Sequence, residues 1–228
     1  MKTISFVIPC YRSEATIGHV VAEIDGKMQE MNTYEYEIIL INDCSRDHTL
    51  DSLRKLANLY LLGPGSPFLY YGEELGVKGS RGSSNTDANR RLAMPWGDGD
   101  TVADPPGADY PETSRLASTA AEQIADPDSL YTYYKTLLMI RHANPEIARG
   151  TYHALEGSGK LGGFVSEWEG SAVCVLHNAS TDEQRFDLST VKGYSFTVLS
   201  ASIGQGEAVL EGGILTLPPQ TSAVLREG

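Results

Sequence analysis

The apolar positions of this chain fall into three successive patterns. Over the first 57 residues, short solid runs alternate with helical stripes. "ISFVI" (Ile4–Ile8) is closed by Pro9 and reads as a buried parallel strand. Ser13 stands at a helix N-cap position, and Ile17, Val20, Val21, Ile24, Met28 and Met31 then recur at three-to-four spacing. "YEIILIND" (Tyr36–Asp43) repeats the strand pattern. A second helix is expected from an N-cap at Asp47, with its stripe on Leu50, Leu53, Leu56, Ala57, Tyr60 and Leu61 and its stop at Gly63-Pro64-Gly65. "PFLYYG" then reads as a third strand. The segment is thus expected to be a β-α-β-α-β parallel-sheet fragment in which Ile4–Ile8, Glu37–Asn42 and Pro67–Tyr71 pair.

The second pattern is the loss of any period. Residues 77 to 126 are rich in Gly, Ser, Asp and Pro, which marks binding loops or a linker. Order is expected to resume at Asp126-Pro127, an N-cap followed by proline at the first helical position. The helix that follows carries Leu130, Tyr133, Tyr134, Leu137 and Ile140 on one side and ends before Asn144-Pro145. From Thr151 the period becomes two, and eight short segments from "TYHAL" to "SAVLR" read as strands of an antiparallel sandwich. No internal repeat is visible. The expected fold class is therefore α/β plus all-β: the parallel fragment, an irregular loop region and helix, then a C-terminal antiparallel β-sandwich able to fold alone. The corresponding division is 1–57, 58–150 and 151–228.

Composition sharpens the first boundary. Of 23 glycines and 11 prolines, only Gly18, Gly26 and Pro9 lie in the first 57 residues, so two segments of different origin meet near there. A net charge of −12 excludes nucleic acid and anionic membranes as expected partners and suits a neutral ligand. Cys10, Cys44 and Cys174 lack metal-ligand spacing, and His19, His48, His142, His153 and His177 suggest no catalytic triad. Asn178-Ala179-Ser180 fits the glycosylation pattern, a three-residue match of low specificity. No apolar run approaches the ~20 residues of a membrane span. With no signal peptide as written, the chain is expected to stay in the cytoplasm.

"VIPCYRSEATI" followed by "ILINDCSRDHT" resembles the N-terminus of family 2 inverting glycosyltransferases over about residues 1–55. The resemblance implies a nucleotide-sugar site lined by Pro9, Tyr11 and Glu14, with Asp43 accepting a hydrogen bond from the uracil or ribose. Asp47 is read as a helix cap instead. Such transferases also use a later Asp-x-Asp segment for a divalent ion and a carboxylate base. Here the likeness stops before either, and "DGD" at Asp98–Asp100 lies in a glycine-rich loop without the preceding strand. No metal site and no cofactor are expected.

"LYLLGPGSPFLYYGEELGVKGS", "DANRRLAMPW", "ADPDSLYTYYKTLLMIRHANPEIARGTY" and the strand-rich tail resemble the C-terminal portion of α-amylase family glycoside hydrolases, over about residues 58–228. The resemblance implies the last strand of a (β/α) barrel, its loop and closing helix, and the β-sandwich that follows. It implies an activity on α-glucosidic bonds of starch-like glucans, carried by two carboxylates about 5–5.5 Å apart with a third acid beside them. In the family all three sit on earlier barrel strands, so no catalytic residue is expected within these 228 residues. Glu73 and Glu74, the tempting substitutes, are read as loop structure or cleft wall. Tyr70, Tyr71, Glu74 and Trp96 are the candidate sugar contacts, the aromatics being equally suited to a core.

Three readings follow. One is an amylase-type glycosidase, inactive alone, with an α-glucan or oligosaccharide as partner. The second is a UDP-sugar-dependent transferase fragment, and the third a non-catalytic sugar-binding or structural remnant. Secretion of the amylase-like parent stays open beside the cytoplasmic expectation, and exposed sheet edges would favour oligomerisation.

Overall fold

The computed structural model describes residues 2–10, 16–31, 34–42, 49–80, 87–158 and 160–228. They form two compact units, Met1–Leu53 with Phe68–Tyr134, and Arg54–Pro67 with Lys135–Gly228.

In the first unit, β1 (Lys2–Cys10) and β2 (Tyr34–Asn42) pair in parallel, in register from Lys2–Tyr34 to Cys10–Asn42. Between them runs α1 (Ile17–Met31), with Ile17 and Met28 of its stripe buried. The sheet holds only these two strands among the described residues, and Pro67–Tyr71 does not join it. Local chemistry explains that correction. Pro67 brings no N–H to a ladder, and the Tyr70 carbonyl accepts from Glu73 N–H at 3.1 Å, which commits the chain to a turn.

The aperiodic stretch is folded by side chains rather than by long elements. Asn89, 2% exposed, donates to Asp109 at 2.6 Å and accepts from its backbone N–H at 2.8 Å. Gln123 reaches back to the Leu75 carbonyl at 2.8 Å. The short helix α3 (Ala120–Ala125) opens on a capping box of Thr119 and Glu122. The next N-cap differs from expectation. Asp126 closes a turn onto Asp128 N–H at 2.9 Å, and Ser129 caps instead by accepting from Thr132 N–H at 3.1 Å. The long helix accordingly starts three residues later than Pro127 predicts.

Two helices contribute to both units: α2 (Thr49–Leu61) and the long helix α4 (Leu130–Ala143). In the second unit α4 is followed by α5 (Pro145–Arg149) and eight strands. These are β3 (Thr151–Ser158), β4 (Leu161–Trp168), β5 (Ser171–Asn178), β6 (Gln184–Asp187), β7 (Phe196–Ile203), β8 (Val209–Glu211), β9 (Ile214–Leu217) and β10 (Ser222–Glu227). They form two antiparallel sheets, β3-β4-β5-β10-β7 and β6-β9-β8. Leu161, Val165, Cys174, Leu176, Ala223 and Leu225 of the large sheet enclose the core with Leu215 and Leu217 of the small one. Burial there pushes the Cys174 thiol up to about 12, which keeps it protonated and unreactive.

The large sheet is buried on its other face as well. Val173, Val175 and His177 alternate with the core residues of β5, and Ser166 and Val224 do so on β4 and β10. α5 and the end of α2 are bonded to this sheet. Ser166 Oγ donates to the Glu146 carbonyl at 2.7 Å, and Asn58 donates to the Ile203 carbonyl at 3.2 Å. Leu56, Ala57, Leu61 and Leu62 are buried, so the apolar stripe runs unbroken through residue 57. Glu146, 3% exposed, is gripped by both Arg226 Nη atoms at 3.0 Å and by Ser171 at 2.7 Å. Burial pushes its carboxyl up, but these hydrogen bonds prevail and hold it below the ordinary value.

His177 makes the unit sensitive to acid. Its Nδ1 lies 2.8 Å from Ser222 Oγ, and burial lowers its pKa from 6.5 to about 4. The unfolded chain therefore takes up this proton first as pH falls, so stability declines between about pH 6.5 and pH 4 and levels off below. A shift of this size corresponds to about 3 kcal/mol. Glu146 and Asp104, carboxyls held low in the fold, add their losses at still lower pH. Denaturant midpoints measured from pH 7 to pH 4 are expected to fall steeply in the parent chain and visibly less in His177→Gln. Equal slopes would remove His177 as the cause.

Candidate functional site

The candidate sugar contacts gather in the loops of the first unit. Gly72 and Gly76 take positive φ (89° and 74°), a conformation natural to glycine, and bracket the turn that carries Glu73 and Glu74. Ahead of it stand Tyr70 and Tyr71, 40% and 43% exposed, with ring centroids 4.7 Å apart at an interplanar angle of 36°. The Tyr71 hydroxyl donates to the Leu92 carbonyl at 3.3 Å, which ties the pair to the segment leading to Trp96. Burial, and then the neighbouring Tyr70, push the Tyr71 phenol above its ordinary value, so it remains a donor. Glu74 turns back on its own loop, accepting from Gly72 N–H at 2.9 Å.

Trp96 is held by its backbone and free at its ring. Its N–H donates to the Met94 carbonyl at 3.0 Å and to Asp100 Oδ2 at 3.1 Å, while 55% of the residue stays exposed. The other Asp100 oxygen accepts from Val102 N–H at 3.0 Å. The "DGD" aspartate is thus a loop-closing group. Among the described residues, no cluster of three or more His, Cys, Asp or Glu is placed to hold a metal ion.

Just before Trp96 opens a cavity of about 510 Å³, lined by Met94, Pro95, Asp100, Val102, Asp104 and Arg115 among others. Asp104 is its most firmly fixed group. It accepts from Ala93 N–H at 2.8 Å and from both Nη atoms of Arg115, one at 3.3 Å and the other in a short contact. The hydrogen bond from Arg115, more than its charge, holds the Asp104 carboxyl below the usual carboxylate range. Arg115 Nε also lies 3.1 Å from Glu112 Oε1.

The structure brings Tyr70 and Tyr71 together and joins Tyr71 to Leu92, four residues before Trp96. It does not speak for the nucleotide candidates: Tyr11, Glu14 and Asp43 lie outside the described residues. Pro9 lies in β1 opposite Ile41 of β2, one position before the strand ends. Sequence reasoning missed the Asp104–Arg115 pair entirely. Ten residues without a long element separate the partners, and no helical or strand period could have announced their meeting.

The sequence model described as Glycosyl transferase family 2 matches residues 5–81. Alpha-amylase SusG of Bacteroides thetaiotaomicron is 31% identical over 136 residues, covering 56% of this chain and 19% of that protein. The amino acid transporter heavy chain SLC3A2 of Mus musculus is 30% identical over 124 residues, covering 54% of this chain and 22% of its own length. Among solved structures, Eubacterium rectale Amy13B superposes with a TM-score of 0.68 at 26% identity, over 92% of this chain and 43% of that one. The chain is similar to α-amylase family proteins and carries a glycosyltransferase likeness over residues 5–81. It spans 19% to 43% of the length of the relatives named here. The superposition covers 92% of the chain and so includes part of the first 57 residues.

Proposed function

We propose that this chain binds α-glucan oligosaccharides at the loop cluster of Tyr70, Tyr71 and Trp96, and that these 228 residues do not by themselves hydrolyse them. The observation that carries the reading is three exposed aromatic rings, anchored by their own loops, in a segment similar to α-amylases. Exposed rings on fixed backbone offer apolar faces to sugar C–H groups at little ordering cost. The carboxylates of the cluster are committed differently from a retaining pair. Glu74 holds its turn, Asp100 holds the Trp96 loop, and Asp104 is locked to Arg115. The division by origin, 1–57, 58–150 and 151–228, belongs to the same proposal.

Calorimetry with maltoheptaose tests the binding. The expected result is a weak isotherm that Trp96→Ala reduces at least fivefold without altering the unfolding midpoint. Absence of heat from the parent chain would end the reading.

A second reading, nucleotide binding at the β1 and β2 strand ends, is supported by the match over residues 5–81 and by the parallel pairing. The matching test is titration with UDP and Mn²⁺, where silence removes that reading. Pairing of two copies through exposed sheet edges is likewise a proposal.

A further inference from the structure

We infer that the Asp104–Arg115 cavity is a charge-selective subsite, which takes a terminal residue of a neutral oligosaccharide and turns away sugars bearing a phosphate or carboxylate. The inference rests on the glucan-binding reading above and adds to it a position and a selectivity. At about 510 Å³ the cavity lies within the range of ligand-sized sites, roughly 300–1,000 Å³. Its walls combine apolar surface from Met94, Pro95, Val102 and Leu116 with a few polar groups, as a hydroxyl-rich ring with C–H faces requires.

The charges decide which sugar. Asp100, Asp104 and Glu112 face one cation, Arg115, which leaves a net −2 in the lining at neutral pH. Elsewhere a guanidinium in a cavity is a natural anion receptor. Here both of its Nη atoms are committed to Asp104, and its Nε faces Glu112 at 3.1 Å. The charge of Arg115 is outweighed by the carboxylates of the lining, so an incoming anion meets net negative charge, whereas carboxylate lone pairs remain to accept from hydroxyls. Asp104 is fixed by three donors, so a hydroxyl meets an acceptor already in place. Trp96 follows Pro95 directly from the cavity wall with its ring exposed, a platform for the next residue of the same oligosaccharide.

The test compares maltose with maltose 1-phosphate by ligand-observed NMR and calorimetry. Maltose is expected to bind at least tenfold more tightly. Glu112→Gln removes one charge at a side chain that is 84% exposed, so the fold is retained; it is expected to narrow the ratio at least threefold. Ala117→Leu places bulk at the exposed rim and is expected to weaken maltose at least fivefold with an unchanged unfolding midpoint. Equal affinity for the two sugars overturns the inference, as does a ratio unmoved by Glu112→Gln or a maltose affinity unmoved by Ala117→Leu. In those cases maltoheptaose binding lost in Trp96→Ala would still uphold the glucan reading. Failure of every maltooligosaccharide to bind the parent chain would remove both.

Discussion

Replacing Arg141 with methionine is expected to cost about 4 kcal/mol of stability in the second unit. Arg141 is 9% exposed and donates to the Leu61 carbonyl at 2.8 Å and the Gly63 carbonyl at 2.7 Å, with a further short bond to the Gly65 carbonyl. The last carbonyls of a helix lack intrahelical donors, and those at the end of α2 are answered by a residue of α4 about 80 positions away in sequence. Burial lowers the guanidinium's pKa, a sign of its lost hydration, and its hydrogen bonds offset that loss. Methionine fills much of the volume but leaves the carbonyls of Leu61, Gly63 and Gly65 without these bonds. Lysine keeps the charge without the planar fork and should recover only part of the loss. Urea denaturation of the three proteins at pH 7 measures this. A methionine variant within about 1 kcal/mol of the parent would mean that Arg141 does not organise the end of α2.

Gly163→Ala is expected to be comparably damaging, at about 3 kcal/mol or more. Gly163 lies in β4 opposite Leu176 of β5 and Leu155 of β3. A Cβ built there falls well inside contact distance of the Val175 carbonyl oxygen, with Leu176 Cα at 3.0 Å. Since β4 and β5 pair over eight residues of the large sheet, relief requires the two backbones to separate. Its neighbour supplies the control, because a Cβ at Gly162 meets nothing within 4 Å. Gly162→Ala should therefore stay within about 0.5 kcal/mol of the parent. If the two alanine variants melt together, backbone crowding is not the reason for glycine at 163.

Much of this architecture was legible in the sequence because its period survives folding. The two-residue alternation after Thr151 marks the eight strands, and the Leu56-Ala57-Leu61 stripe marks a helix that crosses the change in composition without losing phase. Period alone could not show that β5 is buried on both faces. Val173, Val175 and His177 sit where a two-layer sandwich would be solvated, and the end of α2 and α5 are bonded to that sheet. Residues 151–228 in isolation would uncover this face, so the second unit includes 54–67 and 135–150.

Pro67–Tyr71 shows the opposite failure. Its composition suits a strand, yet a strand also needs a partner and a full set of donors. Proline and the Tyr70–Glu73 turn deny it both. The site was legible as residue types, aromatics in a glycine-rich loop, but not as geometry. Asp104, Arg115 and Asn89 organise that loop through contacts that follow no local rule.

The most direct test of the account is to incubate the purified 228-residue chain with maltoheptaose, following both bound ligand and reducing ends in the same samples. The account predicts saturable binding that Trp96→Ala weakens, with reducing ends constant over many hours. Reducing ends that rise in proportion to protein concentration would contradict it, because a complete catalytic constellation would then have to exist within these residues.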